Sequence, residues 1–222
     1  MKILVINGSP RGEKSVTLKI TRAFLEGMGE SAEIIDTMQV NDKPCLGCLS
    51  CWWKTPGICA QNDDMADILK RLLESDLVIW SVPLYCYNVP SNCKVLYDRL
   101  IPLGTPAQEV DETGTTYHPG RQEIHTQIML ISSCGFPDFQ HNFDGMDFQF
   151  NRMFSKDCPR IYCVEAPLLN VPEAKPLADA YLTAAKRAGA EYKANGVISV
   201  ETQAVLDAPM LPPDVYRAQI KR

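Results

Sequence analysis

Short, almost wholly apolar runs alternate with segments of helical period, and this alternation restricts the chain to few architectures. Residues 2–6 (KILVI) form such a run and stop at Asn7-Gly8-Ser9-Pro10, a turn signal. Residues 77–82 (LVIWSV) and 124–132 repeat the pattern, with weaker versions at 33–36 and 160–164. Runs that are apolar throughout suit strands buried on both faces, as in a parallel sheet. Between them, Leu18, Thr21, Leu25 and Met28 recur at helical spacing, which predicts a helix over 15–28. Further helices are expected over 62–74, 88–100 and, in an alanine-rich stretch, 173–193. Strands that alternate with helices imply a doubly wound α/β sheet with helices on both faces and a strand order of 2-1-3-4-5.

The 222 residues are 45% hydrophobic, enough for one full-sized core, so one domain is expected over 1–196. The proline-bearing tail 197–222 is expected to pack on that domain or on a partner subunit. Net charge is -5, which excludes the basic stripe of a nucleic-acid binder. The longest apolar runs are far shorter than a membrane span, and the N-terminus lacks the pattern of an export signal. Nine cysteines in such a chain read as reduced thiols in a cytoplasmic protein, some of them candidate metal ligands.

The strongest chemical signal follows the first strand: Gly8-Ser9-Pro10-Arg11-Gly12-Glu13-Lys14-Ser15-Val16-Thr17. A helix start presents unsatisfied N–H groups and a positive dipole end, which suits a phosphate. Ser9, Ser15 and Thr17 add hydroxyls, and Arg11 adds a charged fork. The loop is neither Gly-x-x-x-x-Gly-Lys-Ser/Thr nor Gly-x-Gly-x-x-Gly. Hydroxyls outnumber glycines, which favours a terminal monophosphate over a pyrophosphate. An ordinary turn with Ser15 capping the helix explains the same residues without a ligand.

Two segments interrupt the alternation. Residues 102–122 are rich in Gly, Pro and Thr, and residues 38–61 are rich in cysteine. Loops this long are usually functional or disordered. Cys45, Cys48 and Cys51 are spaced C-x-x-C-x-x-C, with Cys59 further on. Three outcomes stay open for them: an iron–sulfur cluster, zinc, or free thiols. The three histidines, His118, His125 and His141, are not at ligand spacing to one another. Asp63-Asp64 reads as a helix N-cap, and Asp98-Arg99 as a structural ion pair.

Taken in order, several of these motifs resemble the NADPH-dependent FMN reductase and iron–sulfur flavoprotein group of flavodoxin-like proteins. The motifs are Ile6-Asn7-Gly8-Ser9-Pro10-Arg11, Ser15-x-Thr17, Pro44-Cys45-x-Gly47-Cys48-x-x-Cys51-Trp52, Pro56-Gly57-x-Cys59, Asp63-Asp64-Met65, Pro83-Leu84-Tyr85 and Lys94-x-x-x-Asp98-Arg99. The resemblance is close over the first half of the chain and looser beyond it. It implies that Ser9, Arg11, Ser15, Val16 and Thr17 hold the phosphate of FMN. Pro83, Leu84, Tyr85, Tyr87 and Asn88 then border the flavin ring, with Ser133, Cys134 and Gly135 as the opposite wall. No protein side chain is required as a catalyst, because the flavin carries the chemistry. The expected reaction passes a hydride from NAD(P)H, docked near Tyr85, Tyr87 and the 102–122 loop, to FMN. Electrons then go to a quinone, a free flavin, another small acceptor or a redox partner protein. Cys45, Cys48, Cys51 and Cys59 are the implied ligands of a [4Fe-4S] cluster. The resemblance also implies a homodimer or homotetramer. Two rivals remain at this stage: a flavodoxin-type electron carrier without NAD(P)H turnover, and a flavin-free zinc module.

Overall fold

The computed structural model describes residues 1–220. In chain order it forms β1 (Ile3–Asn7), α1 (Val16–Met28), β2 (Glu33–Asp36), α2 (Ser50–Trp53), α3 (Met65–Glu74), β3 (Leu77–Pro83) and α4 (Ser91–Asp98). A small antiparallel hairpin follows, β4 (Glu109–Val110) with β5 (Thr116–Tyr117). The chain continues through β6 (Gln127–Ser133), α5 (Asp144–Met153), β7 (Arg160–Cys163), α6 (Lys175–Asn195), α7 (Val200–Leu206) and α8 (Pro213–Ile220). The five main strands are all parallel, in the order β2-β1-β3-β6-β7. That is the predicted 2-1-3-4-5 order once the hairpin is set aside.

Strand side chains alternate between the faces, so each central strand feeds two cores. On one face Ile3, Val5, Leu77, Ile79, Met129 and Ile131 pack against Leu18 and Phe24 of α1 and Ala185 and Ala188 of α6. On the other face Leu4, Ile6, Val78, Trp80, Val82 and Leu130 meet Met65, Ile68 and Leu69 of α3, Leu96 of α4 and Phe150 of α5. Burial on both faces explains why these strands read as continuous apolar runs. The α1–α6 contact is unusually close. A Cβ on Gly189 would lie 1.9 Å from the Phe24 carbonyl oxygen, and one on Gly27 would lie 1.7 Å from that of Lys186. Two glycines facing each other's helix therefore let the backbones touch.

Several elements depart from the sequence expectation. The helix expected over 88–100 spans only Ser91–Asp98, because Asn88 is held in a reverse turn and Pro90 sits at the N-cap. The strand expected from 124 begins at Gln127. Helix α5 has no counterpart in the sequence reading. Its Met146, Phe150 and Met153 stand at helical spacing, but Phe148, exposed on the other face, blurs the stripe. Residues 102–122 hold the β4–β5 hairpin rather than an irregular loop, with Asp111 accepting from the N–H groups of Thr113 and Thr115 at its tip. In the tail, Leu206 of α7 joins the α1–α6 core and Tyr216 of α8 is buried against Leu168. No described helix is long and apolar enough to cross a membrane.

Candidate functional site

β1 and β3 are neighbours, yet their following connections leave to opposite faces of the sheet, which opens a crevice at their carboxyl ends. The loop after β1 enters that crevice. Its close approach to β3 requires a glycine, since a Cβ on Gly8 would lie 2.6 Å from Val82 Cγ1. Asn7 Oδ1 accepts from the N–H of Ser9, and Ser9 Oγ accepts from the N–H of Arg11, both at 3.3 Å. Ser15 caps α1, its Oγ accepting from the N–H of Leu18 at 3.2 Å. Ser9 and Ser15 use oxygen lone pairs in these bonds, which leaves each hydroxyl proton free to be donated. The N–H groups of Val16 and Thr17 meet no acceptor among the described residues. Arg11 is exposed and forms no ion pair among them. Thr17 is buried, with Oγ1 2.6 Å from Ser133 Oγ, so it ties the start of α1 to the end of β6. The loop thus offers two free N–H groups, two free hydroxyl protons and a cation at the positive end of a 13-residue helix.

The loop after β3 continues the site. Leu84 N–H donates to the Ser133 carbonyl at 2.9 Å, which holds Pro83 and Leu84 beside β6. Tyr85 and Asn88 exchange backbone bonds of 2.8 and 3.0 Å around a two-residue turn. Cys86 and Tyr87 occupy its centre with φ of 48° and 62°, the left-handed pattern usually left to Asn or Gly. Strain of this kind persists only where the surrounding structure over-determines the backbone. Tyr85 and Tyr87 are 46% and 56% exposed. The Tyr87 ring stacks on Phe136 with centroids 5.9 Å apart and planes 11° apart. Sequence reasoning missed Phe136. Its signal was the position one residue beyond Gly135, in the loop that leaves β6.

Ser133 and Cys134 are buried at the end of β6, and Cys134 N–H donates to the Cys163 carbonyl at 2.9 Å. Burial pushes the Cys134 thiol up to about 11, so it is protonated at neutral pH. Gly135 follows with room for the chain to turn away. A second residue missed from sequence is Glu165, at the end of β7. It is fully buried with φ 53°, and one carboxylate oxygen accepts from the N–H of Leu211 at 2.8 Å while the other has no partner. Burial raises its pKa.

The cysteine segment leaves the carboxyl end of β2, beside the phosphate-type loop. Cys45, Cys48, Cys51 and Cys59 line one pocket, closed from below by Arg99, Ile101 and Pro102. All four are free thiols. Burial raises the pKa of Cys51, and the charges of Cys59, Cys45 and Cys48 add to that effect. A hydrogen bond from Ser50 lowers the pKa of Cys48. Four sulfurs on a single zinc ion would stand about 3.8 Å apart, given Zn–S bonds of about 2.3 Å. No three His, Cys, Asp or Glu side chains among the described residues converge in that way. The four thiols share one pocket, and thiolates are the ligand type of zinc and iron–sulfur sites alike.

Two pairings differ from the sequence expectation. Arg99 does not pair with Asp98, which binds Lys94 instead. Its guanidinium, 1% exposed, donates to both oxygens of Asp63 at 2.8 and 2.9 Å, to the Lys43 carbonyl at 2.6 Å and to Cys59 Sγ at 3.3 Å. The N-cap of α3 is Asp64, whose side chain makes no capping bond and instead accepts from Asn41 N–H, so the pair is not the cap that the sequence suggested. Asp63 accepts from Met65 N–H, but the bonds from Arg99 are what chiefly hold its carboxyl below the usual carboxylate range. The 102–122 segment packs on the same structure. Trp52 Nε1 donates to the Ile101 carbonyl, Arg121 donates to the carbonyls of Cys51 and Gly104, and the ring of His118 lies 4.7 Å from that of Trp52. The two irregular segments of the sequence form one unit in space.

Residues 1–156 match the family model described as the flavodoxin-like fold. The chain belongs to that family. An iron–sulfur flavoprotein of Methanocaldococcus jannaschii is 38% identical over 146 residues, which cover 64% of this flavodoxin-like chain and 71% of that protein. An iron–sulfur flavoprotein of Archaeoglobus fulgidus is 41% identical over 107 residues, 47% of each chain, so about half of that relative lies outside the correspondence. Among solved structures, an FMN-dependent NADH-azoreductase of Bacillus anthracis in complex with FMN superposes with a TM-score of 0.62 at 18% identity, over 87% of this chain and 100% of that one. At that identity the likeness is one of fold.

Proposed function

We propose that this flavodoxin-like protein binds FMN in the crevice between β1 and β3 and acts as an NAD(P)H-dependent oxidoreductase that delivers electrons to a small acceptor. One observation carries the reading: the free N–H groups of Val16 and Thr17, the hydroxyl protons of Ser9 and Ser15, and the unpaired Arg11 surround one helix start. A phosphate dianion satisfies all of them. The names of the relatives, iron–sulfur flavoproteins and an FMN-dependent NADH-azoreductase, support the same choice.

Bound FMN would supply hydride acceptance and electron transfer, and the protein would supply position and environment. Ser9, Arg11, Ser15, Val16 and Thr17 grip the phosphate. Pro83, Leu84, Tyr85, Tyr87 and Asn88 border one side of the ring, and Ser133, Cys134 and Gly135 the other. Cys134 stays protonated, so it adds no negative charge beside a ring that must accept electrons. Tyr87 and Phe136, stacked and partly exposed, offer flat faces at the mouth. Cys45, Cys48, Cys51 and Cys59 hold a [4Fe-4S] cluster, with Arg99 donating to the sulfur of Cys59. A hydrogen bond to a ligand sulfur raises a cluster's reduction potential. Exposed Leu46, Trp53 and Ile58 around the cysteines and exposed Tyr85 near the flavin suit burial in a homodimer or homotetramer. Nine free thiols suit a reducing, cytoplasmic compartment.

Anaerobic purification followed by spectra, iron and sulfide assays and steady-state NAD(P)H oxidation tests the reading. Blue-absorbing flavin, about four irons per chain and turnover with NADH or NADPH are expected. Flavin and iron without turnover would leave an electron carrier. A colourless protein with no affinity for FMN would overturn the proposal.

A further inference from the structure

Of all the glutamates only Glu165 is buried, at 0% exposure, and it lies behind the residues proposed to wall the flavin ring. Two backbone bonds place it there. The Glu165 N–H donates to the Phe136 carbonyl at 2.8 Å, and the Ala166 N–H donates to the Cys134 carbonyl at 2.9 Å. Residues 165 and 166 therefore bracket Gly135. Glu165 has φ 53°, in the left-handed region that favours glycine. Such a conformation persists only where the surroundings impose it, and here it brings a carboxyl into the interior.

No cation answers that carboxyl among the described residues. One oxygen accepts from the Leu211 N–H at 2.8 Å, and the other meets no donor. The titratable groups that face it are acids held neutral by burial. They are Cys134 on the wall, pushed up to about 11, and Cys163 of β7 and Tyr216 of α8, each pushed up to about 12. Tyr181 of α6, beyond Cys163, is raised as well. The cations of neighbouring elements have other partners: Arg217 of α8 pairs with Asp138, and Lys19 of α1 donates to the Leu169 carbonyl. Burial raises the Glu165 pKa, and the N–H groups of Leu211 and Met210 offset that only in part. A carboxyl without a counter-ion, shielded from water, responds to any new charge close by.

We propose that Glu165 is a redox-linked proton acceptor, which releases its proton to solvent while the flavin is oxidised and takes one up when the flavin is reduced. The inference rests on the FMN reading above. A hydride from NAD(P)H carries two electrons and one proton to the ring, leaves NAD(P)⁺ behind and makes the ring one unit more negative. The Glu165 carboxylate then binds one proton from solvent and becomes the neutral acid, so the net charge of the site is unchanged. In return, an ionised Glu165 opposes reduction, and this opposition fades as pH falls and the carboxyl is protonated in both redox states.

Equilibrium redox titration of the FMN-loaded full chain from about pH 5 to about pH 9 tests this against Glu165→Gln, which keeps the shape and removes the charge. The two midpoint potentials should coincide at the acid end. At the alkaline end the wild type should be the harder to reduce, by about 3–10-fold in the reduction equilibrium, or about 14–30 mV for a two-electron couple. A packing defect would displace the potential equally at every pH. Reduced-minus-oxidised infrared spectra across the same range, with ¹³C-labelled glutamate, should show a protonated-carboxyl stretch gained on reduction of the wild type and absent from Glu165→Gln. The wild-type spectra alone decide if the variant fails to fold, since no other glutamate is buried. A potential difference that is nil or constant with pH overturns the proposal, as does a labelled carboxyl band that reduction leaves unchanged. A chain that takes up no FMN is recognised by absorbance before any titration and overturns the FMN reading itself. Bound FMN with a flat potential difference overturns the role of Glu165 alone.

Discussion

Arg99 and Asp63 meet where water does not reach, with exposures of 1% and 0%. Removing one of a buried pair strands the other's charge, and the cost of that exceeds the worth of the pair itself. Arg99→Leu is therefore expected to lose about 3–5 kcal/mol in urea denaturation, and Asp63→Leu with Arg99→Leu to recover a large part of the loss. In the proposed holoprotein Arg99→Leu also removes a donor from Cys59, so its cluster should show a more negative midpoint potential in a redox titration. Glu165 is a buried carboxyl whose pKa burial raises. A group with a raised folded pKa is stabilising when protonated and loses that contribution as pH rises through the folded value. At pH 7.5, far above the unfolded value, the wild type thus bears a cost, whether by burying the charge or by holding the proton that the unfolded chain releases. Glu165→Gln should raise the urea midpoint at pH 7.5, and the difference should disappear below about pH 4.3, where both the folded and the unfolded carboxyl are protonated. A difference independent of pH would show that packing, not charge, is responsible.

The α1–α6 contact depends on missing side chains. Alanine at 189 adds about 1 kcal/mol of helix propensity over glycine, but its Cβ would stand 1.9 Å from a backbone oxygen that no rotamer change can move. Overpacking of a core costs about 1–3 kcal/mol or more, so the clash wins and Gly189→Ala should lower Tm by several degrees. The β3–α4 turn predicts the opposite sign. Cys86 is exposed and left-handed, a conformation that costs an L-residue about 1–2 kcal/mol. Cys86→Gly removes that strain and adds about 0.5–1 kcal/mol of backbone entropy cost. A net gain of up to about 1.5 kcal/mol is expected in thermal unfolding. Much of this element-level structure was legible in sequence where burial was two-sided. Residues 2–6 and 77–82 read as strands because every side chain faces a core. The β4–β5 hairpin did not, because all four of its strand residues are exposed, and in α5 the exposed Phe148 masks the stripe of Met146, Phe150 and Met153.

For the whole molecule, FMN that binds only the folded state stabilises it by mass action. At a hundredfold excess over Kd this is about 2.7 kcal/mol. For a chain of this size each kcal/mol raises Tm by about 2–4 °C, so removing FMN should lower Tm by roughly 5–11 °C. Arg11→Ala with Ser15→Ala should abolish most of that increment at the same FMN concentration. The double variant also loses the helix cap, worth about 1 kcal/mol, so its FMN-free Tm is the reference. An undiminished increment would place the nucleotide elsewhere.

The amino-acid order alone determined the parallel sheet, the crevice between its first and third strands, and the hydroxyl-rich helix start inside it. These depend on neighbours in sequence: a strand, a turn and a cap lie within seventeen residues. Which partner a buried charge found, and which ring closed the site, was decided only in space. Arg99 chose Asp63 over the adjacent Asp98, because its guanidinium is turned into the interior where Asp63 lies, while Asp98 stays half-exposed with Lys94. Thr17 met Ser133, and Tyr87 met Phe136, across separations no local pattern records. Periodicity reports which side chains are hidden from water, whereas long-range pairing depends on how finished elements pack.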